Sequence, residues 1–357
     1  MQQLANLDCF FLAREFASLL DGSFLENFYD FGNGVFRLKF SKQSVLVDLR
    51  GFAFLSQAFP EPPRQPSSFA MLLRKHLSSS KLAGVRQPVF DRIFEFEFSN
   101  REGRKFLVVE LFGKQGNLLL LDGERRIIAP FKRVSYAARS LKQGEEYKLP
   151  PSAKKHPEEL QESDFHEGSS GKIVSFLSQK TSLSPFYLEE ACARAGVSLE
   201  STVESLGAGE KKRILRELKS FFSEKPSPAV FLKEERPFAF SSLKLEKFSE
   251  ELKGFSLVSQ AVAEYYTFIP ASSESGGKRE GKLEFQLESQ KESLARFERE
   301  ALEKQSAGKW VFENHELAEE VLRAAREKDV SKLRDLEKRL SIKIRQAGVV
   351  VEMEAGG

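Results

Sequence analysis

Leu4, Leu7, Phe11, Leu12, Phe16, Leu19 and Leu20 recur in three- and four-residue steps. That period predicts a helix over residues 4–20, ended by Asp21-Gly22. Extended runs follow at Phe24–Tyr29, Gly34–Phe40 and Ser44–Leu49. FGNG at Phe31–Gly34 marks a hairpin, because Asn and Gly tolerate positive φ. The stretch Pro60–Ser68 is Pro-rich and polar, hence a loop, and Ser67 can cap a helix over Phe69–His76. Phe94, Phe96 and Phe98 then alternate with polar residues in a strand over Arg92–Phe98. A turn at Asn100–Gly103 leads back along Lys105–Leu111, and Asp122-Gly123 joins Leu118–Leu121 to Arg126–Ile128.

Further on the pattern changes. Lys148–Asp164, with Pro150, Pro151 and Pro157, reads as a linker. Ile173–Leu177 and Pro185–Ala195 read as helices around the tight turn TSLSP, with a third over Thr202–Phe222. Lys225–Pro228 breaks the pattern, and FSLVSQAVAEYY predicts another helix. Beyond the polar SSESGGKREGK, residues from Leu283 to Leu340 are charged and helix-forming. Leu283, Leu287, Leu294, Phe297, Ala301 and Leu302 make an apolar stripe, resumed by Leu317, Val321, Leu322, Leu333, Leu336 and Leu340. The stripe predicts two helical arms, either antiparallel or awaiting a partner. The tail AGVVVEMEAGG reads as a strand. The predicted class is α+β, with a mostly antiparallel β domain over 1–150 and a helical module over 165–225. A return segment over 229–270, a coiled-coil arm over 283–345 and a terminal strand or tail over 346–357 complete it.

Composition adds three constraints. The 33 Phe sit largely in alternating runs, which favours a β-rich core over base stacking. Residues 71–150 hold 16 Lys and Arg against 9 Asp and Glu, so this stretch carries +7 in a chain whose net charge is +3. A basic face of this kind suits a polyanion, or is simply an uneven solvated surface. Cys9 and Cys192, the only two cysteines, form neither a disulfide framework nor a zinc site. The expected location is cytoplasmic, because neither a secretory n-region nor an apolar run of bilayer length stands in the sequence; no membrane partner is expected.

Few residues suggest covalent chemistry. His76, His156, His166 and His315 lie in no motif beside a Ser or Cys nucleophile, and no G-x-x-x-x-G-K-[ST] loop is present. No catalytic residue, metal site or cofactor is expected. The candidates are binding groups. Asp8 is either a helix-surface acid or functional. Asp91-Arg92, at the start of a strand, is either a strand-end ion pair or a recognition pair. In the second case Arg forks onto a phosphate or base edge and Asp accepts from a base amino group. Arg74, Lys75 and His76 are either solvated or phosphate contacts. TSLSP resembles a helix-hairpin-helix turn, whose backbone N–H groups meet a phosphate, with Ser182 and Ser184 at positions usually held by Gly.

The combined text resembles the NFACT family of ribosome-quality-control factors, called NEMF in animals and also labelled fibronectin-binding proteins in bacteria and archaea. The resemblance runs through LDCFFLAREF, ENFYDFGNGVFRLKF, LLRKHLSSSKL, PVFDRIFEFEF, VVELFGKQGNLLLLD and SLSPFYLEEACARAGVS. It continues through PFAFSSLKL, FSLVSQAVAEYY and KWVFENHELAEEVL, nearly the whole chain. It implies an N-terminal fold like that of formamidopyrimidine-DNA glycosylase, a helix-hairpin-helix module, a coiled-coil arm and a downstream RNA-binding domain. It further implies binding to a large ribosomal subunit (rRNA) obstructed by peptidyl-tRNA, and recruitment of tRNA, with C-terminal tailing as the family's further activity. The family's tRNA-linked Asp and Asp-Arg dyad fall on Asp8, Asp91 and Arg92. Arg74, Lys75 and Lys114 are expected phosphate contacts, in a basic cleft between residues 1–150 and the helical module. The sequence ends at Gly357, ahead of that RNA-binding domain, which suggests either a split gene, with a separate chain supplying the domain, or a reduced protein; the apolar stripe of the arm separately suggests a homodimer. Two other readings lack their required features. A glycosylase would need an N-terminal Pro nucleophile, but the chain starts Met1-Gln2-Gln3; a surface adhesin would need a signal peptide.

Overall fold

The computed structural model describes residues 2–59, 61–165, 171–248 and 251–273, and beyond them 305, 308–309, 312–327, 329–340, 342–347 and 350–355. Helix α1, Asn6–Leu19, is packed on several sides at once: Leu7, Asp8, Cys9, Phe11, Leu12 and Phe16 are all buried. Around it stand two antiparallel meanders. The first runs β1 Leu25–Asp30, β2 Val35–Phe40, β3 Ser44–Asp48 and β4 Phe52–Ser56, paired in that order. Gly32, Asn33 and Gly34 turn β1 into β2 with positive φ, as the FGNG spacing requires. Helix α2, Ser68–Leu77, follows, and the Ser67 hydroxyl accepts from the Ala70 amide at its start.

The second meander is β5 Lys81–Arg86, β6 Ile93–Asn100, β7 Gly103–Glu110, β8 Asn117–Leu121 and β9 Ile127–Pro130. Phe94, Phe96 and Phe98 share one face, buried against Phe16 and Phe40. They are core, not a stacking platform. The other face buries Ile93, Phe106, Val108, Leu119 and Leu121 against Leu141 and Tyr147, beside the short pair β10 Val134–Ser135 and β11 Ser140–Leu141. Strands β4 and β5 escape the alternation rule. β4 is nearly all buried, so it reads as an unbroken apolar run, and β5 carries a register shift between Leu82 and Gly84.

The supposed linker over 148–164 is a packed strap. Leu160 is fully buried in the main core. The Lys155 amide donates to Lys180 O at 2.9 Å, and Lys155 O accepts from the Thr181 hydroxyl at 3.0 Å. His156 sits between the rings of Phe90 and Phe222. Proline here ended regular structure without freeing the chain. Helices α3 Ile173–Lys180, α4 Pro185–Arg194 and α5 Ala208–Ser220 follow. α5 starts later than its apolar pattern suggests because Val203–Ser205 is a 3-10 turn and Gly207 is the N-cap. A three-stranded sheet, order β13 Arg236–Ser241, β12 Ala229–Lys233, β14 Glu251–Gly254, and helix α6 Val258–Ser273 return to the first meander. The Ser259 hydroxyl, for instance, accepts from the Leu55 amide at 3.0 Å.

Residues 274–357 form a second unit. In it α7 His315–Glu327 and α8 Val330–Leu340 pack as a helical hairpin, followed by β15 Ile342–Ala347 paired with β16 Val350–Ala355. Val321, Ala324 and Leu336 bury one another, so this part of the stripe finds its partner within the chain. The stripe from Leu283 to Leu302 lies outside the described residues. The single terminal strand expected from the sequence is the second half of a hairpin. Among the described residues, no helix is long and apolar enough to cross a membrane.

Candidate functional site

Asp91 and Arg92 sit in the tight turn ahead of β6 rather than in the strand itself. Phe90 anchors the turn against Phe222, with ring centroids 5.2 Å apart. The Asp91 carboxylate accepts from the Arg92 amide at 2.7 Å, and Asp91 O accepts from the Gln87 side chain at 2.6 Å. Gln87 also donates to Asn6 O at 2.9 Å, which ties the turn to α1. The Leu111 amide donates to Arg92 O at 2.8 Å. With its backbone held on both sides, Arg92 extends a guanidinium that donates to Gln3 Oε1 at 2.9 Å and lies 5.8 Å from the Phe112 ring centroid. The two members of the dyad form no ion pair with each other. Among the described residues, no carboxylate lies within 4 Å of the Arg92 charge.

This guanidinium borders a cleft of about 510 Å³. Residues 2–6 form one wall, Asp91 and Arg92 a second, and Pro151, Ser152 and Lys154 a third. Ser182, Ser184, Pro185 and Phe186, at the start of α4, close it. Asn6 holds the walls together, donating to Ser182 O at 2.7 Å and to Phe90 O at 3.1 Å. The Ser182 amide is already used by Lys155 O at 3.3 Å, so it is not the open phosphate donor that the hairpin spacing suggested. The Ser184 hydroxyl oxygen is buried without a partner. Ser184 is the N-cap of α4, so the cleft also receives the positive end of that helix dipole.

Asp8 stands beneath this cleft, not on its surface. It is fully buried, and its carboxylate accepts from the Ala5 amide at 2.9 Å, the Ser242 hydroxyl at 2.6 Å and the Tyr187 hydroxyl. Burial pushes its pKa up, against the pull of the Ser242 and Tyr187 hydrogen bonds. Tyr187 O–H is also 3.2 Å from the Ser241 hydroxyl and accepts from the Ser242 amide at 3.0 Å. One carboxylate thus fastens α1, α4 and the end of β13. Gln2 reinforces the joint, pairing with the Phe240 backbone at 2.8 and 3.0 Å. Buried in this way, Asp8 presents no surface to the cleft and bonds instead to residues beside and beneath it.

The remaining expected contacts are dispersed. Lys114 is exposed on the 3-10 turn Gly113–Gln115, just beyond Phe112. Arg74 and Lys75 lie elsewhere, on α2; Arg74 donates to Phe28 O at 2.8 Å and lies over the Tyr29 ring, while Lys75 is exposed. Cys9 and Cys192 are buried, their thiols pushed well up and to about 12 by burial, so neither is poised as a nucleophile. Gln3, Asn6, Lys154, Tyr187, Ser241 and Ser242 belong to the site or its support but escape motif reasoning. Three of them stand inside SPFYLEE and PFAFSSLKL, text that carries the family resemblance.

Comparison with known proteins identifies the family. Residues 50–341 match the family model described as NFACT N-terminal and middle domains. The archaeal Rqc2 homolog aRqcH of Methanocaldococcus jannaschii is 32% identical over 286 residues, which cover 75% of this chain and 42% of that protein. Ribosome quality control complex subunit 2 of Saccharomyces cerevisiae is 38% identical over 134 residues, 36% of this chain and 13% of that one. The Rqc2 homolog RqcH of Bacillus subtilis is 34% identical over 164 residues, 42% and 28% respectively. The chain thus matches less than half the length of each. Among solved structures, the N-terminal part of the fibronectin/fibrinogen-binding protein of Streptococcus suis superposes with a TM-score of 0.61 at 21% identity, over 74% of this chain and 99% of that one. That likeness bears on the fold alone.

Proposed function

Because this chain belongs to the NFACT N-terminal and middle domain family, we propose that it is a ribosome-quality-control factor whose Arg92 cleft receives tRNA on the large ribosomal subunit. The observation that carries the reading is the state of Arg92. A half-buried guanidinium without a carboxylate partner among the described residues is costly unless something anionic arrives. Gln3 and Phe112 hold it in place, so little rotamer freedom remains to be lost on binding. Lys154 and the start of α4 add positive potential to the same cleft. A phosphate, or the O6 and N7 edge of a guanine, matches a fork of this kind. Asp91, on the same wall, supplies an acceptor for a base amino group. Asp8 supports the arrangement from below.

The relatives are named for ribosome quality control rather than for base excision, so the glycosylase alternative gains no support. Large-subunit binding is tested by co-sedimentation with large subunits carrying peptidyl-tRNA. Wild type is compared with Arg92→Glu and with Arg216→Glu, a control at an exposed arginine paired with Glu217. Loss with Arg92→Glu alone is expected. Equal loss with both variants would mean that any surface charge matters equally, and the cleft reading would fall.

A further inference from the structure

Gln3 lines two cavities, not one. On its far side from the Arg92 cleft lies a second pocket of about 540 Å³. Its walls include Arg50, Lys114, Phe131 and Lys132. Gln3 lines both, and Gly113 and Lys114, next in sequence to the Phe112 ring that faces Arg92, line the second. Gly113, at φ +62°, holds a left-handed turn that favours glycine, and Gln3 lies in ordinary contact range of it.

The charges of the second pocket are unequal. Asp48 already pairs with Arg50 through contacts of 2.6–3.1 Å. No such partner among the described residues meets Lys114 or Lys132. The position of Lys132 is built in. Buried Asn117 donates to Lys132 O at 2.8 Å and accepts from the Lys132 amide at 2.9 Å. The Lys132 ammonium donates to the Lys114 backbone carbonyl at 3.3 Å, and both residues line this pocket. Phe131, anchored edge-on against Phe36 with centroids 4.9 Å apart, adds an aromatic wall. Two cations and an aromatic surface are what a nucleotide with its phosphate requires.

We propose that the two pockets are consecutive nucleotide subsites of one track for a single-stranded stretch of RNA. Gln3 divides them; Arg92 and Lys154 meet one phosphate, and Lys114 and Lys132 meet the next. This rests on the Arg92 cleft being an RNA site and extends it.

The test is binding of deacylated bulk tRNA to the full chain across a salt series. The proteins are wild type, Lys114→Gln/Lys132→Gln, Arg92→Gln, and Lys142→Gln as an exposed control. The lysine pair should lower affinity about tenfold at low salt and reduce the slope of log affinity against log salt by about 1.4. Lys142→Gln should leave the slope near wild type. If Arg92→Gln weakens binding and the lysine pair does not, the second subsite is overturned while the cleft reading stands. If Lys142→Gln lowers the slope as much per charge as the pair does, the attraction is diffuse and the track is equally overturned. If Arg92→Gln binds as wild type, the cleft reading itself fails, and the track with it.

Discussion

Asp8→Asn separates positioning from contact. In the wild type one carboxylate oxygen accepts from Tyr187 and Ser242, and the other accepts from the Ala5 amide. An asparagine oxygen can keep the first pair. Its NH₂ then faces the Ala5 N–H, donor against donor, and one buried donor is orphaned. That costs about 1–3 kcal/mol, or ~2–12 °C in Tm for a unit of this size. Acidity gives a second signature. The folded-state pKa of Asp8 is raised above its ordinary 3.8 by burial. The native state therefore holds the proton over a window starting near 3.8, and the stabilisation linked to it is complete below that window and lost as pH rises through it. Asparagine lacks this dependence, so its deficit is largest in acid and narrows as pH rises. The assays are thermal unfolding from acid to neutral pH and tRNA binding well below Tm, where no more than about a fivefold weakening is expected. An unchanged Tm with a hundredfold loss of binding would refute the argument, because it would mean that a buried carboxylate touches the ligand.

Gly51→Ala should loosen the cleft from a distance. The backbone there has φ +129°, and a Cβ would fall 2.9 Å from the Gln3 side chain, so both stability and tRNA affinity should drop, by about 1–3 kcal/mol in unfolding free energy. Glu95 is buried, which alone would raise its pKa, but hydrogen bonds from Arg125 and Arg86 hold it below the ordinary 4.5. Its stabilisation is therefore present above 4.5 and lost as pH falls through the depressed folded value. Glu95→Gln should cost about 1–3 kcal/mol at neutral pH, since both arginines keep solvent contact, and should flatten the acid limb of the unfolding curve; tRNA binding should not change.

Helix α1, the FGNG hairpin, the Ser67 cap and the β6–β7 pair were legible because local chemistry and burial agree there. The strap over 148–164 was not, since prolines announce only the end of regular structure, whereas Leu160 and His156 are held by distant partners. Asp8 could have been placed inside. It stands four residues after Leu4 and three before Phe11, on the apolar stripe itself. A lone acid read as surface hid that spacing. The dyad's residues were legible as types, and a cleft between residues 1–150 and the helical module was expected from the family resemblance, but most of its lining was not. Gln3, Asn6, Lys154 and Ser184 reach it from three stretches of chain far apart in sequence, and no periodicity encodes such a meeting.

The most direct measurement is tRNA binding by the purified chain at two salt concentrations, wild type against Asp91→Ala/Arg92→Ala. The account predicts salt-sensitive binding that the double variant loses while its Tm stays within about 1–2 °C of wild type, because the pair lies outside the buried network. Wild-type and variant curves that coincide at both salts would contradict it.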